Sequence, residues 1–382
     1  MNNIYLDNAG TTPMDPAVIE TMTEMMQNVF GNASATNSFG RKAHSILEQS
    51  RQKIATSINA KDPNEIIFTS GGTESDNTAI IQTALKRRDE GRHLITTMIE
   101  HEAVLKPMAY LEENGYEVTY LPVDENGVIS LDELKQALRP DTILVSIMTG
   151  NNEVGSHMPI TEIGAIVAKS NAWFHTDAVQ AYGILDIDVK RDQIDLMSTS
   201  AHKLNGPKQM GFLYEREGLD LAPHLRGGDQ EMKRRAGTEN IPAIAAFAKA
   251  IELEQNARAE LTARYQGFKR QLVDKLVENG VIVKVNGKMG ADELPQIINL
   301  WFEGCPSDAM LTNLDLAGIA AAAGSACTAG SLEPSHVLAA MYGKDQARVS
   351  QSLRFSFGRY NTAAEIDELV AQLTKISQRI KK

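Results

Sequence analysis

The chain has little of what marks several large classes of protein. It contains two cysteines among 382 residues, and aromatic residues make up only 5% of it. Two cysteines cannot build a disulfide framework, so we expect a protein of a reducing compartment, the cytoplasm. The cysteines and histidines also lack the spacing of a zinc site, and we predict no metal.

Positive charge and long apolar runs are scarce as well. Lys and Arg number 38 against 49 Asp and Glu, which gives a formal net charge of −11. A nucleic-acid-binding surface needs a dense basic patch, so we expect no direct contact with nucleic acid. The N-terminus lacks the pattern of a signal peptide, and the run 316–326 is too short to cross a membrane. We therefore expect no membrane association.

What the chain does contain is a regular alternation of strand-like and helix-like segments. Seven short apolar runs alternate with helical periodicity: 65–69, 93–97, 118–122, 142–147, 173–177, 196–200 and 211–214. This alternation predicts an α/β fold with a mostly parallel seven-stranded sheet covered on both faces. A long helix at 240–279 leads to a smaller α+β unit with a closing helix at 363–380. We predict a large domain at 14–255 and a small domain formed by 1–13 and 256–382.

Two polar residues that follow apolar runs give the first chemical prediction. Asp177 ends the run F-H-T-D, and Lys203 stands in S-A-H-K-L-N-G-P-K. The amine of such a lysine can form a Schiff base with the aldehyde of pyridoxal 5'-phosphate (PLP), and the carboxylate can keep the ring nitrogen protonated. The pair therefore indicates a PLP site, although an aspartate and a later lysine at strand ends also occur without a cofactor.

A glycine turn offers a place for the cofactor phosphate. The segment F-T-S-G-G-T-E-S-D-N (68–77) reads as a strand, a turn and a helix start with a Thr-x-x-Asp-like cap. The amides of Gly72 and Thr73 and the helix dipole favour an anion there. Ser200 and His202, just before Lys203, can complete the phosphate cup. The alternative is an ordinary capped turn.

Three further polar side chains follow neighbouring strands. His101 at a helix start can stack on the pyridine ring and move protons, or simply cap the helix. Asn152 in N-N-E-V-G can bind the ring hydroxyl or a substrate carboxylate, or belong to a plain turn. Gln180, one helical turn after Asp177, can also reach the ring hydroxyl. These segments meet at the carboxyl ends of the strands, where open α/β sheets bind ligands.

The C-terminal third carries an arginine and a cysteine of interest. Arg354 lies on the polar face of the alternating strand S-L-R-F-S-F-G, and needs a carboxylate partner from the substrate or from the protein. Cys327 lies among small residues in G-S-A-C-T-A-G, so we expect an accessible thiol. Cys305, beside Trp301 and Phe302, is predicted to be a buried apolar residue.

Together these motifs resemble the cysteine desulfurases of the NifS/IscS type, within the class V (fold type I) PLP-dependent transferases. The resemblance covers nearly the whole chain in the family's order, from L-D-N-A-G-T-T-P (6–13) to S-L-R-F-S-F-G (352–358), and includes R-R-A-G-T-E-N (234–240). It implies a homodimer in which Thr238 reaches the phosphate bound by the other subunit.

The resemblance also implies a role for each candidate residue. Lys203 would be the Schiff-base lysine, Asp177 the ring-nitrogen partner, His101 the stacking acid/base and Gln180 the ring-hydroxyl partner. Gly72, Thr73, Ser200 and His202 would bind phosphate, and Asn152 and Arg354 the substrate. Several residues depart from the family's commoner ones, namely Gly10, Gly72 and Asp76 (commonly Ala, Ala and Asn), Asn37 (His), Met158 (Gln) and Gln209 (Gly).

The leading hypothesis is conversion of L-cysteine to L-alanine with transfer of sulfur to Cys327 as a persulfide. The thiolate is the competent nucleophile, so a deprotonation must come first. Two alternatives stay open: another class V PLP reaction without persulfide transfer, such as aminotransfer or lyase chemistry, and a sulfur-relay or docking protein with structural PLP. The resemblance implies a sulfur-acceptor partner, either an iron–sulfur scaffold, a tRNA-thiolating enzyme, or one that serves thiamine or molybdenum-cofactor synthesis.

Overall fold

The largest sheet of the molecule has seven strands. The computed structural model describes residues 3–290, 292–324, 335–344 and 346–381. The seven strands are β2 Ile66–Thr69, β3 His93–Thr97, β4 Glu117–Leu121, β5 Thr142–Ser146, β6 Trp173–Asp177, β7 Leu196–Ser198 and β8 Gly211–Glu215. Their spatial order is β2-β8-β7-β6-β5-β3-β4. Because β8 alone runs antiparallel to its neighbours, the predicted mostly parallel sheet is confirmed.

Six helices accompany this sheet along the chain: α1 Pro16–Asn28, α2 Ser38–Ser57, α3 Gly72–Arg87, α4 Glu102–Glu113, α5 Leu131–Ala137 and α6 Ile160–Val167. Four of them begin at a side chain that accepts a backbone N–H of the first turn, namely Asp15, Asn37, His101 and Ser130. Such caps satisfy amides that the helix itself leaves unpaired. They explain why each of these helices starts where it does.

Helix α3 begins differently. Its N-cap is Gly71, whose φ of 143° is a conformation that glycine adopts readily, and no side chain caps the first turn. The predicted Thr-x-x-Asp cap is therefore wrong, because Asp76 lies inside the helix and is buried. The first amides of α3 thus have no capping side chain, which suits an anion at this helix end.

A long helix connects the two largest hydrophobic clusters among the described residues. Helix α7 (Ile241–Glu278) begins at Asn240, whose side chain accepts the N–H of Ala243. Its first half contributes Phe247 to the cluster around the large sheet. Its second half contributes Phe268 to a separate cluster. The single helix therefore fixes the position of one cluster relative to the other.

The second cluster is built on two small sheets. β9 Val283–Asn286, β10 Ile297–Phe302 and β12 Ser352–Ser356 form an antiparallel sheet in the order β12-β10-β9, and β1 Ile4–Tyr5 pairs in parallel with β11 Ile319–Ala320. Helices α8 Ser307–Leu316 and α11 Ala363–Ile380 cover them, and α9 His336–Tyr342 and α10 Ala347–Ser350 complete the described elements. Val337 and Val349, of α9 and α10, pack in the first cluster. The domain limits at 13/14 and 255/256 remain a prediction.

Within the described residues, no helix combines the length and hydropathy needed to span a membrane. The same part of the chain contains no group of three or more His, Cys, Asp or Glu residues placed to hold a metal ion.

Candidate active site

The predicted site residues converge on one cavity at the carboxyl ends of the parallel strands. The cavity has a volume of about 180 Å³. Its lining includes ten of the residues predicted from the sequence, which are Gly72, Thr73, His101, Asn152, Asp177, Gln180, Ser200, His202, Lys203 and Arg354. Elements that belong to both of the large hydrophobic clusters therefore contribute side chains to this cavity, as expected for a ligand site at this edge of an α/β sheet.

Lys203 enters the cavity from a short 3₁₀ turn, Ala201–Lys203, that follows β7. Its Nζ donates hydrogen bonds to the carbonyl oxygens of Ala9 and Gly10, the latter at 2.8 Å. The N-terminal segment thus holds the Lys203 amine through two uncharged carbonyl oxygens. A ligand aldehyde that bonds to this nitrogen would have to displace these hydrogen bonds.

Asp177 is the last residue of β6, near the middle of the sheet. Its Oδ1 accepts the N–H of Val179 at 2.8 Å. Burial raises the pKa of this carboxyl, while the nearby His101 and Lys203 and the hydrogen bond act to lower it. Because a buried carboxylate is costly without a cation, Asp177 is well suited to bind a protonated ring nitrogen.

His101 caps a helix, as one of its two sequence interpretations predicts, and its role beside a cofactor ring stays a prediction. It is the N-cap of α4, and its Nδ1 accepts the N–H of Ala103 at 3.1 Å. In the neutral ring this leaves the proton on Nε2. The ring also lines the cavity, so the capping bond fixes the orientation of an imidazole beside Asp177 and Lys203.

A second, more open cavity adjoins the first and offers the phosphate cup. It has a volume of about 710 Å³, and its lining includes Gly71, Gly72, Thr73, Ser200 and His202. Burial lowers the pKa of His202 to about 4, and Lys203 adds to this effect. The imidazole of His202 is therefore neutral at physiological pH. Hydroxyls, a neutral imidazole and uncapped helix amides form a donor set that fits a phosphate.

Arg354 is almost completely buried, with 1% exposure, and the structure supplies it with a protein carboxylate. Its Nη2 donates to Oδ1 of Asp7 at 2.6 Å, and its Nη1 donates to the carbonyl oxygen of Asn152 at 2.9 Å. Among the described residues, Nε of Arg354 has no hydrogen-bond partner. The sequence left a substrate or a protein carboxylate as the partner. Asp7 is the protein carboxylate that binds Arg354, and the arginine also lines the cavity.

Gln180 and Asn152 also line the cavity. Nε2 of Gln180 donates to the carbonyl oxygen of Ala9 at 2.9 Å, and the backbone carbonyl of Gln180 accepts a hydrogen bond from Gln296 at 3.0 Å. Asn152 is nearly buried, with 9% exposure. Both side chains can reach a ligand in the cavity without a backbone change.

Thr238 is the one described candidate that does not line the cavity. It is exposed, in the segment between the 3₁₀ turn Glu231–Lys233 and α7. Within the same segment, Arg235 forms an ion pair with Glu74 of α3 at 2.9 Å. Glu74 also accepts the N–H of Ser70 at 2.7 Å. The segment that carries Thr238 is thus tied to the turn of the phosphate cup.

The two cysteines have different positions. Cys305 is buried in the second hydrophobic cluster, as predicted, and burial raises the pKa of its thiol. Cys327 lies outside the described residues.

Sequence reasoning missed three acidic residues of the site. The L-D-N motif gives no reason to single out Asp7, and the Thr-x-x-Asp pattern predicts a helix-capping role for Asp76. Glu100 precedes His101 and is completely buried. Burial raises the pKa of Glu100 to about 8. Its position directly beside the histidine, at the end of β3, was the available signal.

Comparison with known proteins agrees with this site. The class-V aminotransferase family matches residues 4–369. A protein of Bacillus subtilis (strain 168), named provisionally as cysteine desulfurase IscS 1, is 51% identical over 100% of both chains. Cysteine desulfurase IscS of Methanosarcina thermophila is 45% identical over 99% of this chain and 93% of its own length. The chain belongs to the cysteine desulfurases of the class-V aminotransferase family.

Solved structures of cysteine desulfurase-like proteins share the fold. A NifS-like protein superimposes with a TM-score of 0.92 at 33% identity, over 99% of this chain and 100% of its own. A protein named SspA, solved in complex with cysteine, gives a TM-score of 0.82 at 36% identity, over 94% of this chain and 100% of its own. This fold type I family uses pyridoxal phosphate, and the donor set described above fits that cofactor.

Proposed function

We propose that this protein is a cysteine desulfurase that converts L-cysteine to L-alanine and receives the sulfur on Cys327. The observation that carries the proposal is the single cavity in which Lys203, Asp177, His101 and Arg354 meet. The reaction balances without a further reactant. The C–S bond of cysteine breaks, the Cys327 thiol becomes a persulfide, and cysteine leaves as alanine.

The described residues divide the work of cofactor binding. Lys203 would bind the cofactor aldehyde covalently and Asp177 its ring nitrogen, while Gln180 would donate to the ring hydroxyl. Gly72, Thr73, Ser200 and His202 would hold the phosphate. The bound cofactor supplies a sink for the electrons released at the substrate Cα.

A second set of residues would bind the substrate and transfer protons. Arg354 and Asn152 would orient the cysteine carboxylate, and the spare Nε donor of Arg354 supports this role. Lys203 and His101 would move protons at the substrate carbons and at the cofactor, because both reach the cavity and can change protonation state. The thiol of Cys327 must lose its proton before it attacks the substrate sulfur.

We further propose a homodimer, with Thr238 contributing to the phosphate site of the other subunit. Its exposure and its absence from the lining of its own chain's cavity support this arrangement, as does the Arg235–Glu74 ion pair. A sulfur-acceptor protein, either an iron–sulfur scaffold or a tRNA-thiolating enzyme, would then remove the persulfide in the cytoplasm.

The decisive experiment follows alanine and sulfur in the same sample. The purified protein is incubated with L-cysteine, alanine is quantified, and mass spectrometry locates any cysteine that has gained one sulfur atom. Cys327→Ser should abolish both products, since a serine hydroxyl is a poor acceptor of sulfur. Cys305→Ser is the matched control and should retain both, because Cys305 is packed away from solvent. Normal alanine release by Cys327→Ser would refute the proposal.

Lys203→Ala gives an independent check of the cofactor site. The variant should lose the visible absorbance of the bound cofactor together with turnover. If the visible band persists, another amine binds the cofactor and the assignment of Lys203 is wrong.

A further inference from the structure

Asp76 is a buried acid of the cofactor cavity for which the proposed reaction has no use. It lies in the second turn of α3, its exposure is 1%, and it lines the same cavity as Asp177 and Lys203. In the part of the chain that the structure describes, its Oδ1 has no hydrogen-bond partner. An acid buried in this way needs an explanation.

The polar neighbours of Asp76 form a chain of neutral groups. The hydroxyl of Ser198, on β7, is a hydrogen-bonding partner of the Asp76 carboxyl. Ser198 Oγ is 3.0 Å from Nε2 of His175, and Nδ1 of His175 is 2.8 Å from Oγ of Ser146. Complete burial lowers the pKa of His175 to about 3, so this imidazole is uncharged.

Within the described part of the chain, Asp76 therefore has no cation at contact distance. Nε2 of the neutral His175 lies 3.6 Å from Oδ1 of Asp76, which is too long for a hydrogen bond. A buried carboxylate without a cationic partner is expensive, and the usual outcome is protonation. A neutral acid with one unpaired atom costs far less than an unpaired ion.

Two other buried acids lie near enough to Asp76 to increase the cost of a charge on it. Asp177, at the end of β6, and Glu100, after β3, both raise the pKa of Asp76, in addition to the larger effect of burial. Two neighbouring buried carboxyls do not ionise together, and the charge goes to the one with cations nearby. His101 and Lys203 act on Asp177 in that sense.

We propose that Asp76 is a positioning residue that functions as a protonated, neutral carboxylic acid in the wall beside Asp177. The negative charge of this pair then stays on Asp177, and Asp76 offers one donor and one acceptor, as an asparagine would. The inference rests on the proposed role of Asp177 as partner of the ring nitrogen, which Asp76 would support through charge and through Ser198.

The test measures proton uptake by folding. Asp76 is ionised in the unfolded chain above a pH of about 4. If the folded protein keeps it protonated, folding takes up one proton, and the wild type loses stability relative to Asp76→Asn as the pH rises. The ratio of their unfolding equilibrium constants should then rise about tenfold per pH unit above pH 5, until the folded pKa is reached.

Urea unfolding of the full chain, at one protein concentration and both with and without PLP, provides these constants. Effects of Glu100, Asp177 and cofactor release occur in both proteins and largely cancel in the ratio. A ratio that stays constant between pH 5 and pH 8 would mean that Asp76 is ionised in the folded protein, and would overturn the proposal.

Two further measurements separate positioning from mere packing. Infrared difference spectra of the wild type and Asp76→Asn at pH 7 should show a protonated carboxylic-acid band that the variant lacks, and an ionised carboxylate band in its place would count against the proposal. Asp76→Ala should bind PLP about three- to tenfold more weakly than Asp76→Asn, as expected for one lost hydrogen bond. Equal affinities would refute positioning. Neither the infrared nor the unfolding result depends on desulfurase activity, so each can fail independently of the proposed function.

Discussion

Replacement of Asp177 by asparagine tests the charge at the centre of the proposed site with little change in shape. The Asp177 Oδ1 accepts the N–H of Val179 at 2.8 Å, and an asparagine oxygen can accept the same hydrogen bond. The substitution therefore removes the negative charge and places an amide where the ring nitrogen would bind. A neutral amide cannot hold that nitrogen protonated.

The size of the effect follows from burial. Asp177 is 5% exposed, and a contact between opposite charges near 4 Å is worth about 4 kcal/mol at an effective dielectric constant of about 20. If this energy is lost in the transition state, kcat/KM falls by roughly 10³. We expect a loss of about 10²–10³ in the rate of alanine formation, with cofactor still bound.

Stability should change in the opposite direction. Burial raises the pKa of Asp177, so its ionisation costs folding free energy above the unfolded pKa of about 4. Asparagine removes this cost. The cofactor-free variant should therefore be at least as stable as the wild type at pH 7, and the difference should vanish as the pH falls toward about 4.

The assays are steady-state alanine release, the visible spectrum and urea unfolding. Asp132→Asn is the matched control, because Asp132 is exposed on α5 and far in the chain from the site. The reasoning is refuted if Asp177→Asn keeps near-normal turnover, or if it loses activity only because it unfolds.

Three other substitutions test separate parts of the site. Arg354→Lys should raise the KM for cysteine by about tenfold or more in steady-state kinetics. A lysine cannot bind the substrate carboxylate bidentately and also keep the contact that Arg354 makes with Asp7. An unchanged KM would exclude substrate binding by Arg354. Thr238→Ala should weaken PLP binding about three- to tenfold in an equilibrium titration with the dimer intact, whereas equal affinity would contradict the cross-subunit role. Gly72→Ala should lower the free energy of unfolding in urea by about 1–3 kcal/mol, because the new Cβ would lie 2.6 Å from Cγ2 of Val179. Adding Val179→Ala should restore most of this loss, and additive effects of the two substitutions would argue against the clash.

The sequence predicts the scaffold of the site well because the signals are local. Apolar runs that end in polar residues located β6 and β7, and hence Asp177 and Lys203, within a few residues. Helical periodicity located α7 and α11 almost to the residue. Alternation along the chain then determined that the sheet is parallel, and a parallel sheet brings its strand ends to one edge.

What the sequence could not predict depends on contacts between distant segments. The pairing of Arg354 with Asp7 joins residues 347 positions apart, and neither residue type identifies the other. The environment of Asp76 is equally hidden. A Thr-x-x-Asp pattern indicates a helix cap, but the N-cap of α3 is Gly71, with a φ of 143°, and Asp76 is a buried residue inside the helix. Burial of a charged group is a tertiary property, and no local rule reveals it.

One residue that departs from the family pattern has a structural role of its own, and another lies in a strained backbone conformation. Asn37 is the N-cap of α2 and accepts the N–H of Gly40 at 3.0 Å, so it has a local structural role of its own. Gln209 has a φ of 56°, the left-handed region in which a glycine is the commoner residue, and this position therefore carries backbone strain.

Gly10 also departs from the family pattern, and it lies beside two residues of the proposed reaction. A Cβ at this position would lie 2.7 Å from Oδ2 of Asp7, whose Oδ1 binds Arg354. The carbonyl oxygen of Gly10 accepts a hydrogen bond from Lys203 at 2.8 Å. Asp7 and Gly10 therefore hold the proposed substrate-binding arginine and the proposed cofactor-binding lysine through one short segment. An alanine at Gly10 would have to move the Asp7 carboxylate, and with it the partner of Arg354, so the glycine and the Asp7–Arg354 pair belong to the same arrangement.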